Sequence, residues 1–144
     1  MSRRSATDRG TALLLYPAGV LVLMVLAAIA VDFSVVRLAR QELLATAQAA
    51  ADDSVGMIDE ASLRAGDRLA IDFDRATALV HEEFTAADLT CAGVVSATVL
   101  AGPRPGTVLV TATCEVAHIF GRAIPGTPRT ERITAEAVGE RVQL

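Results

Sequence analysis

From Thr11 to Val31 the chain carries no charged side chain. As a helix rising about 1.5 Å per residue this run is roughly 30 Å long, the thickness of a bilayer's hydrocarbon core. A core helix in a domain this small would show a polar face, and this one shows none. Pro17 and Gly19, which weaken a soluble helix, are tolerated in a membrane span, and Pro17 falls within the first two turns of the run. Tyr16 lies near the N-terminal interface, where an amphipathic ring is favoured. The segment is therefore expected to cross the membrane over residues 11–31.

The flanks set the expected orientation. Arg3, Arg4 and Arg9 precede the run, whereas Asp32, Arg37, Arg40 and Glu42 come after it. The positive-inside rule places residues 1–10 in the cytoplasm as a basic N-terminus, and residues 32–144 outside as the functional domain. Ala28-Ile29-Ala30 has the small-x-small form of a signal-peptidase site, so a cleaved export signal is the alternative. Ser2-Arg3-Arg4 does not continue as a twin-arginine signal, because Ser-Ala-Thr comes next.

The charge of the outer part excludes one class of partner. Residues 32–144 hold ten Arg against sixteen acids, and the whole chain has no Trp, one Tyr and four Phe. A surface of that sign with so few stacking rings is not suited to nucleic acid. No motif points to a cofactor, a small-molecule substrate or catalysis. His81-Glu82-Glu83-Phe84-Thr85 falls short of the zinc-binding His-Glu-x-x-His pattern because position 85 is Thr, and His118 is far away in sequence. His81 and His118 read as solvated side chains, and Glu82 and Glu83 as a solvated helix face.

Beyond the apolar run the helical pattern persists to about Ile58, so one helix on the order of 70 Å is expected over residues 11–58. Its second half is amphipathic, and Leu44 to Ala51 offers small side chains that permit close packing. Residues 59–71 read as a charged connector. Asp72 or Asp74 can cap a second helix to about Ala87, with Ala76, Leu79, Val80 and Phe84 on one face. The period then changes to two. Strands are expected over Val94–Leu100, Val108–Val116 and Thr130–Val138, the first two joined through the turn Gly102–Gly106. Three antiparallel strands need one covered face, and the long helix is the available cover. The expected fold class is α+β: a long helix, transmembrane first and amphipathic second, packed with a shorter helix on a small antiparallel sheet.

Cys91 and Cys114 both fall in the part expected outside, where disulfides persist. If the hairpin pairs Ala101 with Thr107, residue 114 stands opposite residue 94 and Cys91 lies just before the partner strand. A Cys91–Cys114 disulfide is expected on that geometry, with two buried thiols as the alternative. Asp32 ends the lipid-facing run, either as a plain interfacial residue or as a contact for a partner.

Asp8-Arg9-Gly10, an apolar run with an early Pro17, Ala30-Val31-Asp32-Phe33 and the Ala-rich Leu44–Asp52 together resemble the TadE/TadG-like proteins of Flp (tight-adherence) pilus assembly. The likeness is strongest over residues 8–54. The ending Asp52-Asp53-Ser54 departs from that family's pattern, and the Ile119-Phe120 loop and Ile133–Ala137 strand are similar to the ends of its short members. The resemblance implies a candidate prepilin-peptidase site between Gly10 and Thr11. It also implies a Glu five residues into a mature pseudopilin, where this chain has Leu15. The chain is therefore closer to the uncleaved, TadG-like membrane-anchored type. The resemblance thus implies a non-enzymatic role in pilus assembly or a related secretion apparatus, with membrane lipid and machinery proteins as partners. A membrane-anchored binding or envelope protein unrelated to pili is the alternative.

Overall fold

Nothing from Thr7 onward stops a helix until Ser54-Val55-Gly56, and the chain forms one helix, α1, over Thr7–Ser54. This is seen in a computed structural model that describes residues 7–66, 70–93, 95–123 and 125–141. At about 1.5 Å per residue α1 is roughly 70 Å long. It begins before the apolar run and ends before Ile58, which instead makes an isolated bridge to Ile71. Because α1 starts at Thr7, Pro17 lies inside the helix rather than in its opening turns.

Along α1 the environment changes once. The most apolar window has a mean hydropathy of 2.6 and none of it is buried, so the helix is long and apolar enough to cross a membrane once. From Val35 the inward face is covered. Ala39, Leu43, Ala47, Ala50, Ala51 and Ser54 are buried at helical spacing, and the Ser54 hydroxyl donates to the Ala50 carbonyl within the helix. Arg141 extends a guanidinium N–H to the Val55 carbonyl, 3.1 Å, closing the end of α1 against the last strand.

The expected connector contains a short helix, α2, over Glu60–Ala65. The sequence does not announce it, because its start signal is a single residue: Asp59, whose carboxylate accepts from the Ala61 N–H at 2.9 Å. The next helix, α3, spans Phe73–Ala86 and is capped by Asp72, which accepts from the Arg75 N–H at 3.1 Å. Ala76, Val80 and Phe84, four residues apart, form its buried stripe.

Three antiparallel strands complete the fold, β1 (Ser96–Ala101), β2 (Thr107–Ala117) and β3 (Thr130–Glu140), with β2 in the middle. Residue 94, the expected start of the first strand, lies outside the described residues. One face of the sheet is buried under α1 and α3, through Val108, Val110, Ala112, Cys114 and Val116 of β2 and Ile133, Ala135 and Ala137 of β3. The other face is open. Small residues let α1 approach closely: a methyl group on Gly139 would overlap the Ala51 carbonyl and lie 2.8 Å from Val55 Cγ2.

The hairpin register is one residue away from the expected one. Ala101 pairs with Val108, not Thr107. Thr107, the first residue of β2, pairs with Glu140 of β3 and also closes the turn: its carbonyl accepts from the Gly102 N–H at 2.9 Å, and its hydroxyl donates to the Arg104 carbonyl at 2.7 Å. A one-residue slip exchanges the two faces of a strand. The observed register puts Ala97 opposite Ala112 and Val99 opposite Val110, apolar against apolar over the core.

Candidate functional site

The densest polar arrangement among the described residues lies where α1 changes environment. Asp32 is the first charged residue after the apolar run, and its partners come from 87 to 89 residues away in sequence. Oδ1 accepts from the backbone N–H of Ile119 at 2.7 Å and of Phe120 at 3.0 Å. Oδ2 accepts from Gly121 at 2.7 Å and, more weakly, from Phe120 at 3.3 Å. Successive N–H groups converging on one carboxylate form an anion-holding nest. Here the anion is supplied by the chain itself.

The turn that presents these groups is internally fixed. The His118 N–H donates to the Arg129 carbonyl at 3.1 Å, and Ala123 to the Phe120 carbonyl at 2.9 Å within a 3₁₀ turn over Gly121–Ala123. Arg122 Nε donates to the His118 carbonyl at 2.8 Å, and the Thr127 hydroxyl to the Gly121 carbonyl at 2.6 Å. Gly121 suits this close approach. A Cβ there would meet the His118 Cβ at 3.0 Å and Asp32 Oδ2 at 3.3 Å.

The Phe120 N–H is the chief cause that holds the Asp32 carboxyl below its ordinary value of 3.8. Desolvation opposes it, and the Gly121 and Ile119 N–H groups and the charge of His118 add to it. The carboxylate is thereby kept ionised and able to accept all these bonds. Beside the clamp lies an apolar groove of about 550 Å³, with Val25, Ile29 and Phe33 on one wall and Phe120 and Pro128 on the other.

Comparison with family models, curated proteins and solved structures returns no match for this chain.

The other residues singled out in the sequence stand apart from this clamp. Cys91 and Cys114 are joined by a disulfide, Cα–Cα 6.0 Å, even though the register that led to the expectation is displaced by one. Two backbone contacts seat Cys91 between the layers: Thr90 N–H donates to Glu42 Oε2 at 3.0 Å, and Ala92 N–H to the Glu115 carbonyl at 2.6 Å. Gly10 and Thr11 lie within the helical backbone of α1. His81 and Glu82 are exposed on α3, and among the described residues no cluster of three His, Cys, Asp or Glu side chains could hold a metal ion.

Two features are not legible in the sequence. Asp32 is expected there to be a boundary residue or a contact for a partner; in the fold its carboxylate is bound by a loop of its own chain. The signal available was Gly121 behind two exposed apolar residues, and nothing local links that to Asp32. The second feature is a carboxylate pair across the α1–α3 contact. Glu83 is held above its ordinary value of 4.5, first by desolvation, then by its hydrogen bond to Asp53 and the charges of Asp53 and Glu82.

Proposed function

We propose that this chain is a membrane-anchored, non-enzymatic component of Flp/Tad-type pilus assembly or of a related secretion apparatus. In this reading residues 1–10 are cytoplasmic, residues 11–31 cross the bilayer once, and residues 32–144 form an extracytoplasmic, pilin-like α+β domain. The observation that carries it is the continuity of α1. The helix that is apolar and uncovered in its first half forms the core of the domain in its second, so the anchor joins the domain through one continuous helix rather than a flexible linker. A protein built to transmit position or force from the bilayer to an external assembly needs that continuity; a domain on a flexible linker would not provide it.

Four further features support the reading. The Cys91–Cys114 disulfide suits an oxidising compartment, and Arg3, Arg4 and Arg9 suit a cytoplasmic N-terminus. The motif order around Gly10, Pro17, Asp32 and the Ala-rich stretch supplies the likeness to TadE/TadG-type proteins. Leu15, where a processed pseudopilin has Glu, favours an assembly factor that keeps its N-terminus over a filament subunit.

Co-purification tests the proposal. Extracted in mild detergent from cells that express the whole machinery, the protein is expected to bring down its secretion ATPase or platform proteins. Recovery of the anchored protein alone would instead favour the envelope protein unrelated to pili. N-terminal sequencing of the native protein separates the processing outcomes. Met1 or Ser2 marks an intact anchor, Thr11 a processed pseudopilin and Val31 a secreted protein.

A further inference from the structure

We propose that the turn His118–Ala123 is a second membrane contact, with Ile119 and Phe120 inserted into the outer-leaflet interface beside α1. The inference rests on the anchor reading above and goes beyond it. It concerns a segment nearly ninety residues away from the span, with no hydrophobic run of its own.

The height of the turn is set by geometry. Three consecutive backbone N–H groups are bound to Asp32, the residue immediately after the apolar run, so the turn is fixed at the level where the span ends. Ile119 is 48% exposed and Phe120 47%, although the domain has a core available to bury them. Phe120 also faces down the helix. It shares the apolar groove with Val25 and Ile29, and Val25 is seven residues, roughly 10 Å, deeper along α1 than Asp32. That wall of the groove belongs to the segment assigned to the bilayer, so the groove opens into lipid and acyl chains are its occupant.

Charge is consistent with this placement. Arg37 on α1, Arg122 in the turn and Arg129 beside it are exposed around the same level, where anionic phosphates would meet them. Asp32, the acid nearest the interface, remains ionised with its charge held by its N–H donors, and Glu131, which also lines the groove, is exposed among these Arg side chains. An aromatic ring and an aliphatic side chain at the headgroup level, with Arg above them, is the arrangement by which an amphipathic surface element binds a bilayer.

The chain has no Trp, so each introduced indole is a single emitter. The full chain is reconstituted in phosphatidylcholine–phosphatidylglycerol vesicles whose lipids carry bromine either near the headgroup or near the chain ends. Phe120→Trp, with Ile119→Trp as a second position on the same turn, is expected to emit blue-shifted and to lose most of its emission to bromine near the headgroup. Val22→Trp, inside the span, should be quenched by bromine near the chain ends, and Leu100→Trp, at the far end of the sheet, by neither. Formation of the Cys91–Cys114 disulfide reports that each variant is folded. If both turn variants escape quenching while Val22→Trp is quenched, the anchor stands and the turn faces water or a protein partner, which overturns the proposal. If Val22→Trp escapes quenching as well, the anchor reading fails and this inference fails with it.

Discussion

The two halves of α1 are one continuous helix with different neighbours, and their residues differ accordingly. Over residues 20–26 the side chains are large and apolar on every side, and Leu21, Leu23 and Met24, with Ile29 further on, are all more than half exposed. Between residues 39 and 54 the inward positions are mostly Ala, and they are buried almost completely. The difference reflects what each half packs against. Fluid acyl chains, the neighbour proposed for the first half, rearrange around any shape, so bulk costs nothing and adds apolar area. A β-sheet has a fixed surface, so the helix must fit it, and the close approach to Gly139 leaves no room for even a methyl group there. Asp32 marks the border between the two regimes.

Matched substitutions in the two halves are the direct way to break this comparison. Leu43→Ala, at a fully buried position, is expected to cost about 2–5 kcal/mol of domain stability through lost burial and a residual cavity. Leu23→Ala, in the exposed half, should leave the domain's denaturation midpoint unchanged. Chemical denaturation monitored by circular dichroism reads both, and equal effects would show that the halves do not differ in kind. The converse pair is milder. Ala47→Leu overpacks the helix–sheet contact and is expected to cost about 1–3 kcal/mol, whereas Ala27→Leu should be neutral to folding.

The border itself is sharpened by pH. The folded-state pKa of Asp32 is lowered, so its contribution to stability is present above the ordinary value of 3.8 and is lost as pH falls through the lower folded value. Protection of the Ile119, Phe120 and Gly121 amides, measured as exchange relative to the unfolded chain at the same pH, should therefore be high at neutral pH and fall in that acid window. Asp32→Ala should remove the protection of those three amides at every pH. Protection that survives the substitution would show that the turn holds itself without the clamp.

The smallest effect is expected where α1 meets α3. Glu83 has a raised folded pKa, so the pair with Asp53 is favourable below the ordinary value of 4.5 and turns unfavourable as pH rises through the folded value. Glu83→Gln should raise the melting temperature slightly at neutral pH, and the gain should vanish in acid. A loss of stability at neutral pH would mean that the ionised carboxylate makes a favourable contact that outweighs the repulsion.

Local chemistry is legible in the sequence where it is written in neighbouring residues. The uncharged run, the Asp72 cap, the four-residue spacing of Ala76, Val80 and Phe84, and the alternation of β2 each depend on side chains a few positions apart. The short α2 is not, because a six-residue helix has too few turns to show a period. The disulfide is reached through a register that proves wrong by one, since Cys91 lies in a loop close enough to serve either pairing.

By itself, then, the sequence determined the uncovered apolar helix, the positions of the long elements and the α+β class, because apolar periodicity and the lack of charge dictate which faces must leave water. Tertiary structure decided the rest. The hairpin slid by one residue to put Ala97 and Val99 over the core, a choice that depends on what the helices cover. It also decided that Asp32 is clamped by a turn of its own chain, because a carboxylate leaving an apolar run needs donors and the fold brings three N–H groups to it from across the chain.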